Sequence, residues 1–263
     1  MTSAAHRLVL TAAEYAHVVG EMGLSMPPDW APAPDIATGA EAAALAEREV
    51  VVDGRVHPSV QANLRVLSGP QIMFDTTATI GARGSRSLHA IAGQYGASLF
   101  LLPDAAVELS MFRATDLGRE LVRAVPAEAP GGIGSALDGD DAEPLRGRVP
   151  LAALHELGVA ELLRESDPDV TGHVLGELRL PPDEAAFAVE AVRRADGVLR
   201  CLVVALIGEG VRTAQLSWLH SDTGWVGIRP APTGADRQLV DLEPVAREDI
   251  GVWLAPFVSE ALS

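Results

Sequence analysis

The sequence contains no lysine and very few aromatic residues. All 20 basic residues in its 263 positions are arginines, against 36 Asp and Glu, so the formal net charge is −16. A charge of this sign repels phosphate backbones and anionic lipid head groups, so we expect neither nucleic acid nor a membrane as a partner. The missing lysine is typical of a high-GC coding sequence, and it excludes a Walker-type phosphate-binding lysine.

The sequence also has a single cysteine and no long apolar run. Because Cys201 is the single cysteine, the chain cannot form an internal disulfide. The apolar neighbours of Cys201 predict a buried structural thiol. The N-terminal segment has no basic leader followed by an apolar stretch, and it carries Glu14 and Glu21 where a signal peptide would be apolar. No apolar stretch approaches the roughly 20 residues of a membrane span. These features predict a cytoplasmic protein.

Motifs that carry chemistry are missing as well. The sequence has no HExxH pattern, no paired cysteines and no G-x-S-x-G turn, and Asp138-Gly-Asp-Asp141 lacks the spacing of a calcium loop. The histidines are scattered, at positions 6, 17, 57, 89, 155, 173 and 220. We therefore predict no catalytic, cofactor-binding or metal-binding residue. An α+β enzyme whose carboxylates meet only in the fold stays open as the alternative.

Helix and strand patterns alternate in the first 125 residues. A strand over 7–10 leads into a helix that opens with a capping box, Thr11 and Glu14. Further helices are predicted over 39–48, 58–69 and 116–124, with a small Asp-Gly hairpin before the second of them. Between them lie strands over 71–80, 87–92, 98–102 and 106–112. Their short connectors predict an antiparallel meander, because parallel strands need long crossovers.

The second part of the chain repeats this pattern after a break. Residues 126–150 are rich in Pro, Gly and Asp and are interpreted as a linker. After it we predict short helices over 151–157 and 159–165, a turn-rich link to 182, and a helix over 183–194. Four strands follow, over 198–207, 211–220, 224–230 and 238–242, and a last helix over 244–262.

This repetition predicts a duplicated unit. Ile80-Gly81 matches Ile207-Gly208, Arg86 matches Arg212, and in each copy the match follows a helix and a long strand. We therefore predict an α+β fold with pseudo-two-fold duplicated halves, 1–125 and 151–263, which form a central antiparallel sheet flanked by helices, with a C-terminal helical region. Helices would cover one face of the sheet. The alternative is a chance similarity of two amphipathic α+β segments.

Two surface features are candidate partner-binding sites. The first is the connector between the first two long strands, which would present arginines at a hairpin tip. The second is a pair of tryptophans in neighbouring strands, which could be core residues or exposed anchors. The candidate residues are Gly81, Ala82, Arg83, Gly84, Arg86, Trp218 and Trp225.

Several short segments resemble one known family. They are Leu8-Val-Leu-Thr-Ala-Ala-Glu14, Leu24-Ser-Met-Pro-Pro28, Leu64-Arg-Val-Leu67 before a long strand, and the turn Asp222-Thr-Gly-Trp225. Their order and the duplicated α+β pattern resemble the EspG family of type VII (ESX) secretion chaperones over essentially the whole chain.

The resemblance implies a cytosolic chaperone that binds the helical tip of a PPE-type protein in a PE/PPE pair. It implies contact through the sheet, the loop joining its second and third strands, here 81–86, and the C-terminal helical region. A monomer or weak homodimer is expected when no cargo is bound. Two other classes stay open: a small-molecule-binding or hydrolytic enzyme with a polar pocket, and a structural dimer joined through sheet edges.

Overall fold

The fold consists of two halves that use the same order of elements. A computed structural model describes residues 7–33, 36, 39–127, 143–208, 210–232 and 238–261. Each half contains a short strand, three helices, four long strands in a meander and one further helix. The predicted α+β fold class is confirmed.

The first half begins with the predicted capping box. The Glu14 amide donates to the Thr11 hydroxyl at 3.2 Å, and the Thr11 amide donates to the Glu14 carboxylate at 2.8 Å, so the free amides of the first turn have partners. The elements of this half are β1 (Arg7–Leu10), α1 (Ala12–Glu21), α2 (Glu41–Glu47), β2 (Val51–Val52), β3 (Arg55–Val56), α3 (Pro58–Ser68), β4 (Ile72–Ile80), β5 (Arg83–Ala92), β6 (Tyr95–Leu101), β7 (Val107–Arg113) and α4 (Leu117–Ala124).

The second half differs from the prediction mainly before its sheet. The elements are β8 (Gly147–Pro150), α5 (Leu151–Leu163), α6 (Val170–Leu178), α7 (Pro182–Arg194), β9 (Ala195–Ile207), β10 (Gly210–Ser221), β11 (Gly224–Pro230), β12 (Leu239–Pro244) and α8 (Ile250–Ala261). One helix, α5, replaces the two predicted short ones, because Gly158 lies within a helix and does not end it. Helix α6 occupies the predicted turn-rich link, where Val174, Leu175 and Leu178 give it an apolar side against α5 and α7.

The segment predicted as a linker contains a strand at its end. Residues 147–150 form β8, which pairs with β12 and so forms one edge of the sheet. The glycine-rich part, 128–142, lies outside the described residues. The division into halves over 1–125 and 151–263 stays a prediction, with the addition that β8 extends the second half towards the N-terminus.

All the long strands lie in one antiparallel sheet of ten strands. Their order is β1-β7-β6-β5-β4-β9-β10-β11-β12-β8, so β4 and β9 are neighbours at the centre. From the centre outwards, the strands of the two halves follow in the same order. The register agrees with a two-fold axis between the central strands. Placing Ile80 on Ile207 converts the pair Ile72–Ala205 into Leu199–Ala78, which is also a pair of the sheet.

Glycines obey the same symmetry. Gly81 and Gly208 both have positive φ, 54° and 60°, at the turns that follow β4 and β9, a conformation that favours glycine. The matched Arg86 and Arg212 do not obey it. Arg86 pairs with Thr77, and the corresponding partner in the second half is Thr213, one position after Arg212, so the two arginines point to opposite faces of the sheet.

Helices pack on both faces of the sheet, not on one as predicted. Helices α1–α3 cover the outer strands of the first half, and α5–α7 cover the outer strands of the second half on the same face. The opposite face is covered at its centre by α4 and α8, which bury Phe74, Trp218 and Trp225. The first face therefore has helices at its two ends and none of those six over the middle of β9.

Candidate partner-binding face

The middle of the sheet is exposed between the two groups of three helices. The exposed surface, here called the open strip, consists of Val198, Arg200, Leu202, Val204 and Leu206 of β9, flanked by Asp75 and Thr77 of β4 and by Val211 and Thr213 of β10. Successive side chains of a strand alternate between faces, so these residues lie on the face opposite α4 and α8.

The open strip is apolar although it is in contact with solvent. Four aliphatic side chains, those of Val198, Leu202, Leu206 and Val211, are exposed to 37%, 42%, 54% and 62%. Single exposed aliphatic residues are ordinary on a protein surface, but a contiguous exposed patch marks an interaction site. The exposed fractions add up to roughly two whole aliphatic side chains, so complete burial by a partner would contribute about 3–6 kcal/mol.

The dimensions of the strip suit a helical partner. Val198 to Leu206 spans eight residue steps of one strand, about 26 Å. Two packed helices are about 20 Å across, since each is about 10 Å wide and their axes are 8–10 Å apart. The turn joining two helices therefore fits within the length of the strip.

A polar cluster forms one wall of the strip. The Trp30 indole donates to Asp75 Oδ2 at 3.1 Å, and Arg86 lies 3.4 Å from the same oxygen and 3.3 Å from Asp29 Oδ2. The Arg86 guanidinium also lies 4.8 Å from the centre of the Trp30 ring. Tyr15 fixes the loop from inside by donating to the Trp30 carbonyl at 2.9 Å. The cluster therefore attaches the proline-rich loop around Trp30 to the edge of the strip.

The residues predicted to form a hairpin tip lie partly in a turn and partly in a strand. Gly81 and Ala82 form a tight turn, while Arg83, Gly84 and Arg86 belong to β5, with Ile80 paired to Arg83. The expectation of a loop over 81–86 was therefore wrong, because the antiparallel ladder continues to the end of β4. Arg83 and Gly84 are exposed, and Arg86 contributes to the wall described above. Their role in binding a partner stays a prediction.

The two predicted tryptophans are core residues and not surface anchors. Trp218 and Trp225 are buried with ring centroids 6.2 Å apart. Trp253 of α8 packs edge-on against Trp218 at 5.9 Å. The tryptophans lie on the face opposite the open strip, so a partner bound to the strip does not reach them.

The apolar residues of the open strip were missed by the sequence analysis. The signal was present in β9, where Val198 to Ile207 is apolar at nearly every position and not only at alternate ones. Such a strand is typically buried on both faces. Here one face is buried under α8 and the other is exposed.

Some titratable groups of the described residues meet in pairs, such as His220 and Asp196, whose Nδ1 and Oδ1 atoms are 2.5 Å apart. Among all the described residues no group of three or more His, Cys, Asp or Glu could hold a metal. One surface cleft of about 410 Å³ is lined by Leu151, His155, Leu178 and Gln238, and His155 is the titratable group there. In the same described ranges no helix is long and apolar enough to cross a membrane.

Two chemically reactive residue types are buried in inert environments. Burial raises the pKa of Cys201 to about 12, so its thiol stays protonated. Burial lowers the pKa of His89 to about 3, and its Nε2 lies 3.2 Å from the carbonyl oxygen of Glu120 in α4. The prediction of a buried structural thiol is confirmed.

The fold and the open strip together define a duplicated α+β protein with an exposed apolar sheet face framed by helices. A family model described as the EspG family matches residues 21–255. The chain therefore belongs to the EspG family, as the short segments suggested. No curated protein matches the sequence.

A solved structure shows the same fold. It is that of the type VII secretion system chaperone EspG5 of Mycobacterium tuberculosis, in complex with the PE25-PPE41 dimer, and it aligns with a TM-score of 0.66 at 14% identity over 97% of this chain and 96% of the other. Another, HtdX of Mycobacterium tuberculosis, has a TM-score of 0.18 at 12% identity over 90% of this chain and 98% of the other, too low a score to bear on the fold.

Proposed function

We propose that this chain is a cytoplasmic chaperone of a type VII secretion system that binds a PE/PPE-type substrate pair through the open strip. The observation that carries the proposal is the exposed apolar row on β9, in the centre of a sheet whose other face is covered at its centre by α4 and α8. Membership of the EspG family supports it, and so does the fold shared with a chaperone that was solved with a PE–PPE dimer bound.

The physical basis is the burial of two apolar surfaces in one contact. An apolar helical tip exposed on a secretion substrate would aggregate in water, and the strip offers it an apolar floor of matching length. The strongly acidic remainder of the chain keeps the complex soluble and disfavours attachment to anionic surfaces. A partner bound here would be shielded at its tip until it is released.

The rival classes have no comparable observation in their favour. A hydrolytic or small-molecule-binding enzyme would require a deep pocket with convergent polar groups, whereas the cleft lined by Leu151, His155, Leu178 and Gln238 is open and has one titratable group, His155. A structural dimer through sheet edges would use β1 or β8, and each has four residues within the described ranges. Short edge strands are a common protection against such pairing, and we infer a monomer in the absence of cargo.

The test is co-expression of the chain with PE/PPE-type pairs from the same genome, followed by size-exclusion chromatography and light scattering. We expect one pair to co-elute with the chain as a stoichiometric complex and to be less soluble without it. Separate elution of every pair, from a chain shown to be folded by circular dichroism, would contradict the proposal.

A further inference from the structure

Two arginines lie on either side of Thr77 in the open strip. Arg86, Thr77 and Arg200 are direct neighbours across β5, β4 and β9. Because neighbouring strands lie about 4.8 Å apart, the Cα atoms of the two arginines are about 10 Å apart. Thr77 between them is short and exposed. The surface between the two arginine positions is therefore open to a side chain from a partner.

The two arginines differ in how their charges are compensated. Arg86 lies near two carboxylates, Asp29 and Asp75, and against the Trp30 ring. Arg200 is exposed, and within the described ranges of the chain no carboxylate or other polar group bonds to it. The nearest acidic neighbour across the strands, Asp75, already accepts from Trp30 and Arg86 through Oδ2. Arg200 is thus an uncompensated cation in a chain with a net charge of −16.

The surroundings of Arg200 make this charge costly to cover. Its neighbours on the same face of β9 are Val198 and Leu202, both apolar and partly exposed. A partner that seals the strip with apolar groups alone would remove a guanidinium from water without a counter-charge, which is strongly unfavourable. A carboxylate placed there would instead form a short, charge-assisted and bidentate pair.

We propose that Arg200 is a specificity-determining residue that binds an Asp or Glu carboxylate in the helical tip of the partner, an inference that rests on the proposed function. The partner tip then needs apolar side chains towards Leu206 and Val211 and one acidic side chain towards Val198. This asymmetry orients the partner along the strip, because reversing it would place the acid on the aliphatic end and leave Arg200 unpaired.

The direct test uses two helical-hairpin peptides with leucines in the turn, identical except for one Glu or Gln beside them. We expect the wild-type chain to bind the Glu peptide about tenfold more tightly at low salt, by fluorescence anisotropy. Arg200→Gln should remove that preference. Arg212→Gln is the matched control, because Arg212 is exposed on the adjacent strand but on the opposite face, where it pairs with Glu260. This control should keep the preference.

The outcomes separate the inference from the proposed function. Equal affinity of the wild-type chain for both peptides, failure of both to bind it, or a preference that survives Arg200→Gln would each overturn the role of Arg200. Co-elution of a PE/PPE-type pair would leave the proposed function standing in those cases. If the peptides are discriminated while no pair co-elutes, the carboxylate site stands and the proposed cargo is wrong. Thermal melts of each variant check that it is folded.

Discussion

Replacing Leu202 of the open strip by Asp should have a large effect on binding and a small effect on folding. Leu202 lies at the centre of the strip, opposite Asp75 on β4 and Gln215 on β10. In the free chain its side chain is already 42% exposed. Replacing it by Asp therefore removes only part of a buried contact, and we expect the free energy of unfolding to fall by about 1–2 kcal/mol.

The effect of Leu202→Asp on the complex should be much larger. The variant removes about 1 kcal/mol of further leucine burial and adds a carboxylate that the partner would have to cover. Burying the new carboxylate in a sealed interface costs several kcal/mol even with Arg200 two residues away on the same face, so we expect the affinity for a co-eluting PE/PPE-type pair to fall at least a hundredfold. Isothermal titration calorimetry measures the affinity, and urea unfolding measures the stability.

A matched control distinguishes this loss from a general effect of added charge. Val52 lies on the small separate hairpin and is 45% exposed, close to the value for Leu202. Val52→Asp should leave the affinity within about twofold, since a surface substitution away from the interface has little effect. The reasoning is refuted if Leu202→Asp binds like the wild type, or if both variants lose affinity equally.

Two further predictions concern the core beneath the strip. A Cβ on Gly227 would lie 2.3 Å from Trp253, so Gly227→Ala should lower the free energy of unfolding by about 1–3 kcal/mol. The control, Gly158→Ala on α5, has nothing near its added Cβ and should not lower it. Equal urea midpoints for the two variants would contradict this prediction. His89, with its pKa lowered to about 3, stays neutral in the folded chain. As the pH falls from 6.5 towards 3, only the unfolded chain takes up a proton at His89, so the free energy of unfolding of the wild type should fall by up to about 1.4 kcal/mol per pH unit more than that of His89→Gln. Parallel curves of stability against pH for the two proteins would show that His89 is not the cause. His155→Gln, at an exposed histidine, is the control.

Local patterns in the sequence were enough to predict most of the fold. The capping box at Thr11, the Asp-Gly hairpin and the short connectors each define structure within a few residues, and the elements built from them are present. The duplication could also be predicted, because Ile80-Gly81 and Ile207-Gly208 mark equivalent turns. Helix α6 was missed because its polar and glycine-rich positions hide a narrow apolar side that is meaningful only against α5 and α7.

The candidate binding face could not be predicted in the same way. Which face of β9 is covered depends on where α7 and α8 pack, and that is a tertiary property. The connector over 81–86 looked like a loop because glycine and arginine are common in loops, whereas the ladder between β4 and β5 extends into it. Trp218 and Trp225 were ambiguous because tryptophan occurs both in cores and at interfaces.

The symmetry of the fold explains why the open strip exists and why it is polarised. The three helices that precede the meander in each half pack over the outer strands of that half, so the two-fold axis passes through a central region that neither group covers. The operation that relates the halves places Met73 on Arg200, Asp75 on Leu202 and Thr77 on Val204. The backbone is thus nearly symmetric while its side chains are not, since the first half contributes mainly polar groups and the second half contributes aliphatic ones and a free cation. A symmetric surface could bind a partner in two opposite orientations, whereas we expect this one to bind its partner in a single orientation.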